Sequence, residues 1–493
     1  MQTGDGRRAR RFIATVACTG LLAVALSGCN MDFTQAGFDA ANSRFNTEAT
    51  IGAAKVAGLK QHWSVDLGTG SAANTSTPAV VTIAKTVYVF VTTADGHLEK
   101  WRADTHTRQW RIPIGDISAA GPWDGPTPSP AVTTVHLPGN VTRTEVIAGS
   151  PDGHYYAYDA ASTTATDANP PTQYWNSNAG ERFLFRAVNS PTITPGNVMF
   201  IDFGEFANNH VCFGAKGCWT SVLWSVYGVS LIDGSDVSGW DLGGSMMPTD
   251  SSGNVLSSAA QYVPSAVAFD ASRGIALVGE PDVFYDFSSG TTRDMTSGVL
   301  ALTADDMSGT LGFAWESRWD NNGFGVPATP ALSVDHERAF VSSVTGLRVF
   351  NTSSGGGPNP PAVVPDAARY ASPAVAGYDV AVPTDDGYTR EYTFGNPGTI
   401  LTPVWTSSQA RVGGVGVPQA APVFDGTVQT NGNLAGLVFN STAKGDLLAW
   451  DAVGSGAAAA DVAAQANGLG GASVSHGCVY VETSDGHLAE WGL

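Results

Sequence analysis

The sequence predicts an all-β protein, and three observations lead to this class. One eight-residue phrase near the start, Ala94–Trp101, recurs almost unchanged at the end, as Ser484–Trp491. The chain contains 58 Gly and 27 Pro, which separate short apolar runs, whereas long amphipathic helical patterns are scarce. Two short phrases also alternate eight times along the chain. Together these features predict an eight-bladed β-propeller of four-stranded antiparallel blades.

The first phrase is a small residue, usually followed by Pro, that leads into an apolar strand. Its eight copies begin near residues 77, 129, 190, 263, 329, 372, 421 and 471. The second phrase is a turn glycine that opens an alternating strand, as expected where a hairpin turn needs a positive φ angle. The eight turn glycines are Gly96, Gly153, Gly228, Gly298, Gly346, Gly387, Gly445 and Gly486. They lie 57, 75, 70, 48, 41, 58 and 41 residues apart, and 41 residues suit one four-stranded blade, so the longer intervals carry insertions.

A third phrase, which ends in tryptophan, follows several of these strands. It is clearest up to Trp110, and Trp175, Trp240, Trp315 and Trp405 fall at the same place. A large aromatic ring on the outermost strand of a blade can pack between neighbouring blades. We therefore expect each of these tryptophans to be buried between two blades.

Taken together, the three phrases resemble the PQQ-type (quinoprotein) β-propeller repeat, over roughly residues 59–493. In this repeat we take the strand after the first phrase as the innermost of each blade and the tryptophan strand as the outermost. The last unit of the chain then contains only three strands. A spare tryptophan strand, Lys60–Leu67, precedes the first unit. We expect it to complete the eighth blade and to bring Trp63 beside Trp491, which removes an exposed sheet edge.

The N-terminus is typical of an export signal. Four arginines between residues 7 and 11 precede an apolar run, Phe12–Leu26, and Leu26–Cys29 resembles a bacterial lipobox. This pattern predicts a signal peptide over residues 1–28 and lipidation of Cys29. It also predicts a lipidated tether and N-terminal segment with a little local structure over residues 29–58, and a single propeller over residues 59–493. The alternative is an ordinary signal peptide with an incidental cysteine.

Export bears on the remaining cysteines and on the partners. Cys212 and Cys218 are expected to form a disulfide in an oxidising compartment, and Cys478 a buried free thiol. The formal net charge of −19 argues against nucleic acid and against an anionic membrane surface as partners. Lipidated Cys29 would instead supply the membrane contact.

The long insertions fall on one face, where outer-to-inner connections and the turns between second and third strands meet. Loops on a rigid scaffold are where binding sites concentrate. By position alone, the cofactor candidates are Trp123, Arg182, Arg186, Asn322 and Arg411. The metal candidates, also by position alone, are Asp202, Glu205, Asp282, Asp320 and Asn321. For each of these, a solvated loop residue is the alternative interpretation.

The resemblance implies that PQQ lies over the channel in enzymes of this family, held by calcium and served by an aspartate base. A disulfide between adjacent cysteines often covers the cofactor there. This chain departs from that pattern, because Cys212 and Cys218 are six residues apart and no Cys-x-x-Cys-His motif for a c-type haem occurs. No single acidic residue aligns with the family's base.

Three functions are candidates. The first is an exported, membrane-anchored propeller lipoprotein that binds a protein or small ligand through the loop-elaborated face. The second is a PQQ- and calcium-dependent dehydrogenase of alcohols or sugars. A glycan-binding or glycan-cleaving propeller is a third, and cleavage would need two carboxylates at a defined separation.

Overall fold

The computed structural model describes most of the chain after residue 30. The described ranges are 31–68, 76–116, 127–177, 189–206, 211–212, 217–249, 251, 264–280, 284–286, 291–294, 296–320, 325–355, 363–364, 371–384, 388–394, 402–407, 420–430, 432–441, 446–453, 458–464, 469–483 and 485–493. Within these ranges no helix has the length and apolar character needed to cross a bilayer.

Eight four-stranded antiparallel sheets form the blades of a propeller, as predicted. Two short elements precede them, β1 (Phe45–Asn46) and a 3-10 helix (Val56–Gly58), followed by strand β2 (Lys60–Asp66). Blade 1 contains β3 (Ala79–Ile83), β4 (Thr86–Thr92), β5 (His97–Arg102) and β6 (Thr107–Pro113). Blade 2 contains β7 (Ala131–Leu137), β8 (Val141–Gly149), β9 (Tyr155–Asp159) and β10 (Gln173–Asn176).

Blades 3 and 4 carry extra strands. Blade 3 contains β11 (Thr192–Ile193), β12 (Val198–Phe206), β13 (Val211–Cys212), β14 (Cys218–Ser230) and β15 (Asp236–Thr249). Blade 4 contains β16 (Ala268–Asp270), β17 (Ile275–Gly279), β20 (Thr296–Ala304) and β21 (Leu311–Asp320), with an inserted hairpin, β18 (Phe284–Asp286) and β19 (Thr291–Asp294).

The second half of the ring is more regular. Blade 5 contains β22 (Ala331–Leu332), β23 (Arg338–Ser343), β24 (Gly346–Asn351) and β25 (Val363–Val364). Blade 6 contains β26 (Ala374–Ala376), β27 (Asp379–Pro383), β28 (Thr389–Thr393) and β29 (Thr402–Thr406). Blade 7 contains β30 (Val423–Val428), β31 (Leu434–Ser441), β32 (Asp446–Asp451) and β33 (Ala458–Ala464). Blade 8 contains β34 (Leu469–Ser475), β35 (Cys478–Thr483), β36 (His487–Gly492) and β2.

The first strand of each blade is innermost, because these strands contact one another around the ring. The tryptophan strand lies at the opposite edge of the blade. We call the end of the propeller with the outer-to-inner connections and the second-to-third turns the upper face. The lower face carries the turns between the first and second strands and between the third and fourth.

The N-terminal strand completes the last blade, as the phase of the repeat predicts. Strand β2 pairs antiparallel with β36, with Gln61 opposite Trp491 and Trp63 opposite Glu490. The indole Nε1 of Trp63 donates a hydrogen bond to Glu490 Oε2 at 2.8 Å. Trp491 is fully buried within a cluster that joins blades 7, 8 and 1. The ring is therefore closed by residues from the two ends of the chain.

The predicted burial of the outer-strand tryptophans between blades is confirmed for four of the five. Trp110, Trp175, Trp315 and Trp405 are buried, whereas Trp240 is partly exposed. Several of these rings reach the next blade around the ring. The Nε1 of Trp175 donates to the Leu231 carbonyl at 2.9 Å, the Nε1 of Trp315 to the Thr352 carbonyl at 2.8 Å, and Trp63 stacks on His106 at 5.1 Å.

The predicted turn geometry holds in four blades and is wrong in two. Gly96, Gly153, Gly346 and Gly486 have positive φ angles between 85° and 117°. In blades 3 and 4, Gly228 and Gly298 instead lie within long strands, because the insertions lengthen the hairpins beyond them. A Cβ at Gly228 would lie 2.3 Å from the Gly309 carbonyl oxygen, so close approach of blade 4 accounts for that glycine. Gly387 and Gly445 lie outside the described residues.

Residues 33–46, assigned to the polar tether by the sequence, follow the inner wall of the ring. We call this stretch the N-terminal segment. It hydrogen-bonds to the innermost strand of every blade in turn. Seven bonds run from a backbone amide of the inner strand to the segment: Val80 to Phe33, Val132 to Thr34, Ile193 to the Gln35 side chain, Phe269 to Ala40, Leu332 to Ala41, Val375 to Ser43 and Phe424 to Arg44. In blade 8, the Asn46 side chain donates to the Val474 carbonyl.

This path is held by local turns of the segment itself. Asp39 accepts hydrogen bonds from the backbone amide and the hydroxyl of Ser43, at 2.9 and 2.7 Å. Phe38, Asn42 and Arg44 have positive φ angles, which is uncommon for residues with side chains. The bonds to the surrounding blades fix these otherwise unfavourable conformations.

A buried carboxyl stands opposite the outer tryptophan in blade 6. Glu391 pairs with Trp405 in the strand register and is 1% exposed, and neither of its carboxyl oxygens has a hydrogen-bond partner among the described residues. Burial, together with the charge of Asp379, raises the pKa of Glu391 to about 9. The side chain is therefore neutral at pH 7 in the folded protein.

We expect this carboxyl to make the protein less stable as pH rises. An unfolded glutamate has a pKa of about 4.3. Between about pH 4.5 and pH 9 the folded state therefore binds more protons than the unfolded state, and the unfolding free energy falls with each pH step. Glu391→Gln should flatten the slope of unfolding free energy against pH, by at most ~1.4 kcal/mol per pH unit. Denaturant unfolding from pH 5 to pH 9 measures this slope. Glu337→Gln, on a partly exposed turn, is the control, and an unchanged slope in Glu391→Gln would contradict the assignment.

Trp63→Ala tests the closure. Removing a buried tryptophan typically costs about 3–5 kcal/mol, and here the loss falls on the strand that joins the two chain ends. We expect a correspondingly lower unfolding free energy in urea. Lys60→Ala, an exposed position on the same strand, should change stability by less than about 0.5 kcal/mol. Equal effects of the two substitutions would show that the strand does not close the ring.

Candidate functional site at the upper mouth of the channel

The upper face is the elaborated face, and blades 3 and 4 account for most of its described extension. Strands β14 and β15 run for 13 and 14 residues, and β13 pairs with the start of β14. In blade 4, the β18–β19 hairpin is inserted in the connection between the second and third strands, which themselves pair directly. Strand β15 of blade 3 contacts both β18 and β21 of blade 4. These two blades therefore form one raised wall beside the channel mouth.

The cysteine predictions hold in large part. Cys212 and Cys218 form a disulfide that joins β13 to the beginning of β14 at the upper end of blade 3. Cys478 is a free thiol and is partly buried, at the start of β35. Burial, with Glu490 close by, raises the pKa of the Cys478 thiol to about 12, so it is protonated at neutral pH.

Acidic side chains occupy one repeated position at the upper end of the second strand. The register between first and second strands makes Asp202 of blade 3 and Glu482 of blade 8 equivalent to one another. The same position in the other blades holds Thr92, Gly149, Gly279, Ser342, Pro383 and Ser441. Two blades thus carry a buried carboxyl where the others carry small or neutral side chains.

Asp202 is the predicted metal candidate that the structure describes most fully. It is 2% exposed, and its Oδ2 atom has no hydrogen-bond partner among the described residues. Burial raises the pKa of Asp202 to about 7, and the adjacent Asn189 side chain opposes this rise. Asn189 is itself fixed, because its carbonyl accepts a hydrogen bond from the Tyr155 hydroxyl at 2.8 Å and its amide donates to the Pro264 carbonyl at 2.9 Å. The carboxyl is held in place and lies close to its titration point at pH 7.

Glu482 has a similar environment at the junction of blades 8 and 1. It is fully buried and accepts a hydrogen bond from the Ser76 hydroxyl, while its Oε2 atom has no partner in the described part of the chain. Burial raises the pKa of Glu482, and the nearby Glu99 raises it further. Burial also raises the pKa of Glu99 to about 7, although Arg111 lies 3.2 Å from its Oε1 atom.

In blade 4, a third buried carboxyl follows the second strand by one residue. Glu280 is 2% exposed and lies 3.2 Å from the guanidinium of Arg318, which also pairs with Glu316. Burial raises the pKa of Glu280 despite this ion pair. Arg318 links the second and fourth strands of the blade just below the raised wall.

Most of the predicted site residues fall where no side chain is described. All five cofactor candidates lie outside the described residues: Trp123, Arg182, Arg186, Asn322 and Arg411. So do the metal candidates Asp282 and Asn321. Glu205 lies in β12 and Asp320 at the end of β21, with only their backbones described. These assignments stay predictions.

The described residues do not assemble a calcium site at the upper mouth. Calcium takes six to eight oxygen ligands, and Asp202 has a single carboxyl with one amide beside it. Across the described ranges, no three His, Cys, Asp or Glu side chains come close enough at this mouth to share an ion. The described residues therefore do not provide the ligands of a calcium ion that could hold PQQ.

One functional feature was missed by reasoning from sequence. Arg44 is 8% exposed inside the ring, and burial lowers its pKa to about 10. The Nε atom of its guanidinium has no hydrogen-bond partner among the described residues. A buried cation normally needs hydrogen-bond acceptors around it, so this position departs from the usual pattern. The sequence around it, Ala40–Phe45, carries no repeat signal that would have placed it there.

On the lower side of the N-terminal segment lies a cavity of about 530 Å³. Its wall is formed by the segment and by the lower ends of the first strands in blades 1 to 3, including Thr82, Thr133 and Thr194.

Comparison with known proteins supports the architecture. No protein-family model matches the chain, and no curated protein sequence matches it either. Among solved structures, a quinohemoprotein alcohol dehydrogenase from Comamonas testosteroni is 15% identical, with a TM-score of 0.59 over 93% of this chain and 80% of that one.

A europium-containing methanol dehydrogenase is 13% identical, with a TM-score of 0.58 over 94% of this chain and 98% of the other. BamB from Moraxella catarrhalis is 13% identical, with a TM-score of 0.50 over 88% of this chain and 98% of its own. Identities this low speak to the fold alone. Together with the eight closed blades, they show that the chain has the PQQ-like β-propeller fold.

Proposed function

We propose that this protein is an exported, lipid-anchored PQQ-like β-propeller that binds a protein or small ligand at its upper face. The proposal rests on two features that lie on opposite faces of the propeller. The raised wall of blades 3 and 4 extends the upper face, whereas the chain enters the propeller at the lower face. Anchorage and binding would then occupy opposite ends of one rigid body.

The entry point is fixed by contacts of the first described residues. The Met31 carbonyl accepts a hydrogen bond from Ser475 at 2.6 Å, and Asp32 lies 3.1 Å from His476. Ser475 and His476 belong to the lower turn of blade 8. Cys29 precedes Met31 by two residues, and an extended chain spans about 3.3–3.6 Å per residue, so lipid on Cys29 would reach within ~7 Å of this turn. The lower face would therefore lie against the bilayer and the upper face would point away from it.

Binding is favoured over catalysis because the described residues supply a shaped surface without a recognisable catalytic set. Insertions concentrate on one face of a rigid ring, which is the usual arrangement of a recognition surface. The buried carboxyls there belong to separate blades, and none of them is joined to a described metal cluster.

Lipidation is tested first. Cys29→Ala should abolish incorporation of labelled fatty acid and move the protein from the membrane pellet to the soluble exported fraction, because a lipid chain is the proposed anchor. Cys478→Ala is the matched control and should leave both readouts unchanged. Retention of the label in Cys29→Ala would refute the anchor.

Partner binding is tested with a photo-crosslinking amino acid placed in living cells. Leu223, 51% exposed on the upper part of β14, should give a discrete adduct with a single partner. Val453, 66% exposed on a lower turn of blade 7, is the control and should not give that adduct. The same adduct from both positions, or from Val453 alone, would contradict a binding site on the upper face.

The alternative function is a PQQ- and calcium-dependent alcohol or sugar dehydrogenase. Two observations favour it: the dehydrogenases of similar fold, and Asp202 at the mouth, whose pKa is raised to about 7. Purified protein given PQQ and Ca²⁺ should then show a bound quinone absorbance and dye-linked oxidation of an alcohol, both reduced in Asp202→Asn. No PQQ binding at high micromolar concentration would exclude this alternative.

A further inference from the structure

Three metal-ligating side chains meet where the two ends of the chain are joined. His62 comes from β2, Glu490 from β36 and Cys478 from β35, three neighbouring strands of blade 8. One ligand atom of each, an imidazole nitrogen, a carboxylate oxygen and the thiol sulfur, lies within 4.8 Å of the other two. In the described part of the chain, no other three His, Cys, Asp or Glu side chains meet in this way.

The two nearest ligands are already oriented. The Nδ1 atom of His62 lies 3.0 Å from Glu490 Oε1, while Glu490 Oε2 accepts the hydrogen bond from Trp63 at 2.8 Å. The carboxylate therefore keeps one oxygen for the indole and presents the other toward His62. Such an outer hydrogen bond is what usually orients a metal-ligating carboxylate.

The backbone makes room for the imidazole ring. Gly492 lies opposite Lys60 in the strand pair, and the His62 ring packs over it: a Cβ at Gly492 would lie 2.3 Å from the His62 Cε1 atom. His62 is exposed, whereas Glu490 is buried and Cys478 is partly buried. An ion would thus have a protein floor and an open side toward solvent, as in sites with three protein ligands and one water.

We propose that His62, Cys478 and Glu490 bind a single Zn²⁺ ion that fastens the closed ring. Nitrogen, sulfur and oxygen donors together suit zinc, at about 2.0–2.3 Å from the ion, and a thiolate disfavours calcium and magnesium. Binding replaces the His62–Glu490 hydrogen bond and displaces the thiol proton to solvent. Since His62 belongs to the N-terminal strand and the other two ligands to the C-terminal strands, the ion links the chain ends directly. This site is separate from the binding face proposed above.

The test uses the full chain purified without a histidine tag and loaded with Co²⁺ or Zn²⁺. Co²⁺ should bind with a stoichiometry of one and produce a thiolate-to-metal charge-transfer band, which vanishes on adding excess Zn²⁺. Zn²⁺ at 100 times its dissociation constant should raise Tm by about 2–3 °C, reversed by a chelator. The charge-transfer band requires a thiolate ligand, so it separates this site from chance binding at an exposed histidine.

Two variants and one control make the outcome decisive. Cys478→Ser should lose the charge-transfer band, and His62→Gln, whose side chain is exposed, should weaken zinc binding at least tenfold without unfolding the protein. His487→Gln is the control, because His487 pairs with Asp485 at 3.2 Å on the same strand outside the cluster. A charge-transfer band that persists in Cys478→Ser, an unchanged affinity in His62→Gln, or no Tm shift in the unmodified protein would each overturn the proposal.

Discussion

The structure depends on the inner edges of eight sheets being satisfied by one short stretch of chain. In an open ring, the first strand of each blade presents unpaired amide and carbonyl groups to the channel. Here the N-terminal segment, residues 33–46, hydrogen-bonds to all eight of those edges in order. Each bond contributes only about 0.5–1.5 kcal/mol net, but their spacing requires all eight blades to be in place at once. The segment can therefore adopt this conformation fully only when the ring is closed.

The closure at blade 8 and the N-terminal segment reinforce each other. Strand β2 follows the segment after 13 residues that include the 3-10 helix, so one N-terminal stretch lines the channel and then completes the outer edge of the last blade. Asn46 of the segment bonds to the inner strand of blade 8, and Trp63 of β2 bonds to the third strand of the same blade. An early part of the chain thus contacts blade 8 on both its inner and its outer side. Folding of the ring can finish only after the C-terminal strands are available.

Much of the architecture could be predicted because the repeat fixes it. The recurring turn glycines, the apolar strands and the outer tryptophans determine the blade number, the inner-to-outer order and the pairing of β2 with β36. The prediction failed at Gly228 and Gly298, because long insertions extend the hairpins past a glycine whose smallness serves packing instead of a turn. The course of the N-terminal segment along the inner strands could not be predicted, because short polar residues such as Ser43 and Asn46 look the same in a linker and along a strand edge.

The candidate site was less predictable. Asp202 was singled out by position, and the structure adds that it is buried with an unpartnered oxygen, a property that depends on neighbours distant in sequence. Glu482, Glu280 and Arg44 carry no motif, because burial of a single charge leaves no periodic trace. The cluster of His62, Cys478 and Glu490 joins positions more than 400 residues apart, which only the closure of the ring brings together.

The most direct test of this account is amide hydrogen exchange followed by mass spectrometry of peptides from the innermost strands, including those that contain Val80, Phe269 and Phe424. The amides of these three residues donate to carbonyls of the N-terminal segment, so they should exchange as slowly as the central strands of the blades. Exchange of these three amides at the rate of an unstructured peptide, with the central strands still protected, would contradict it.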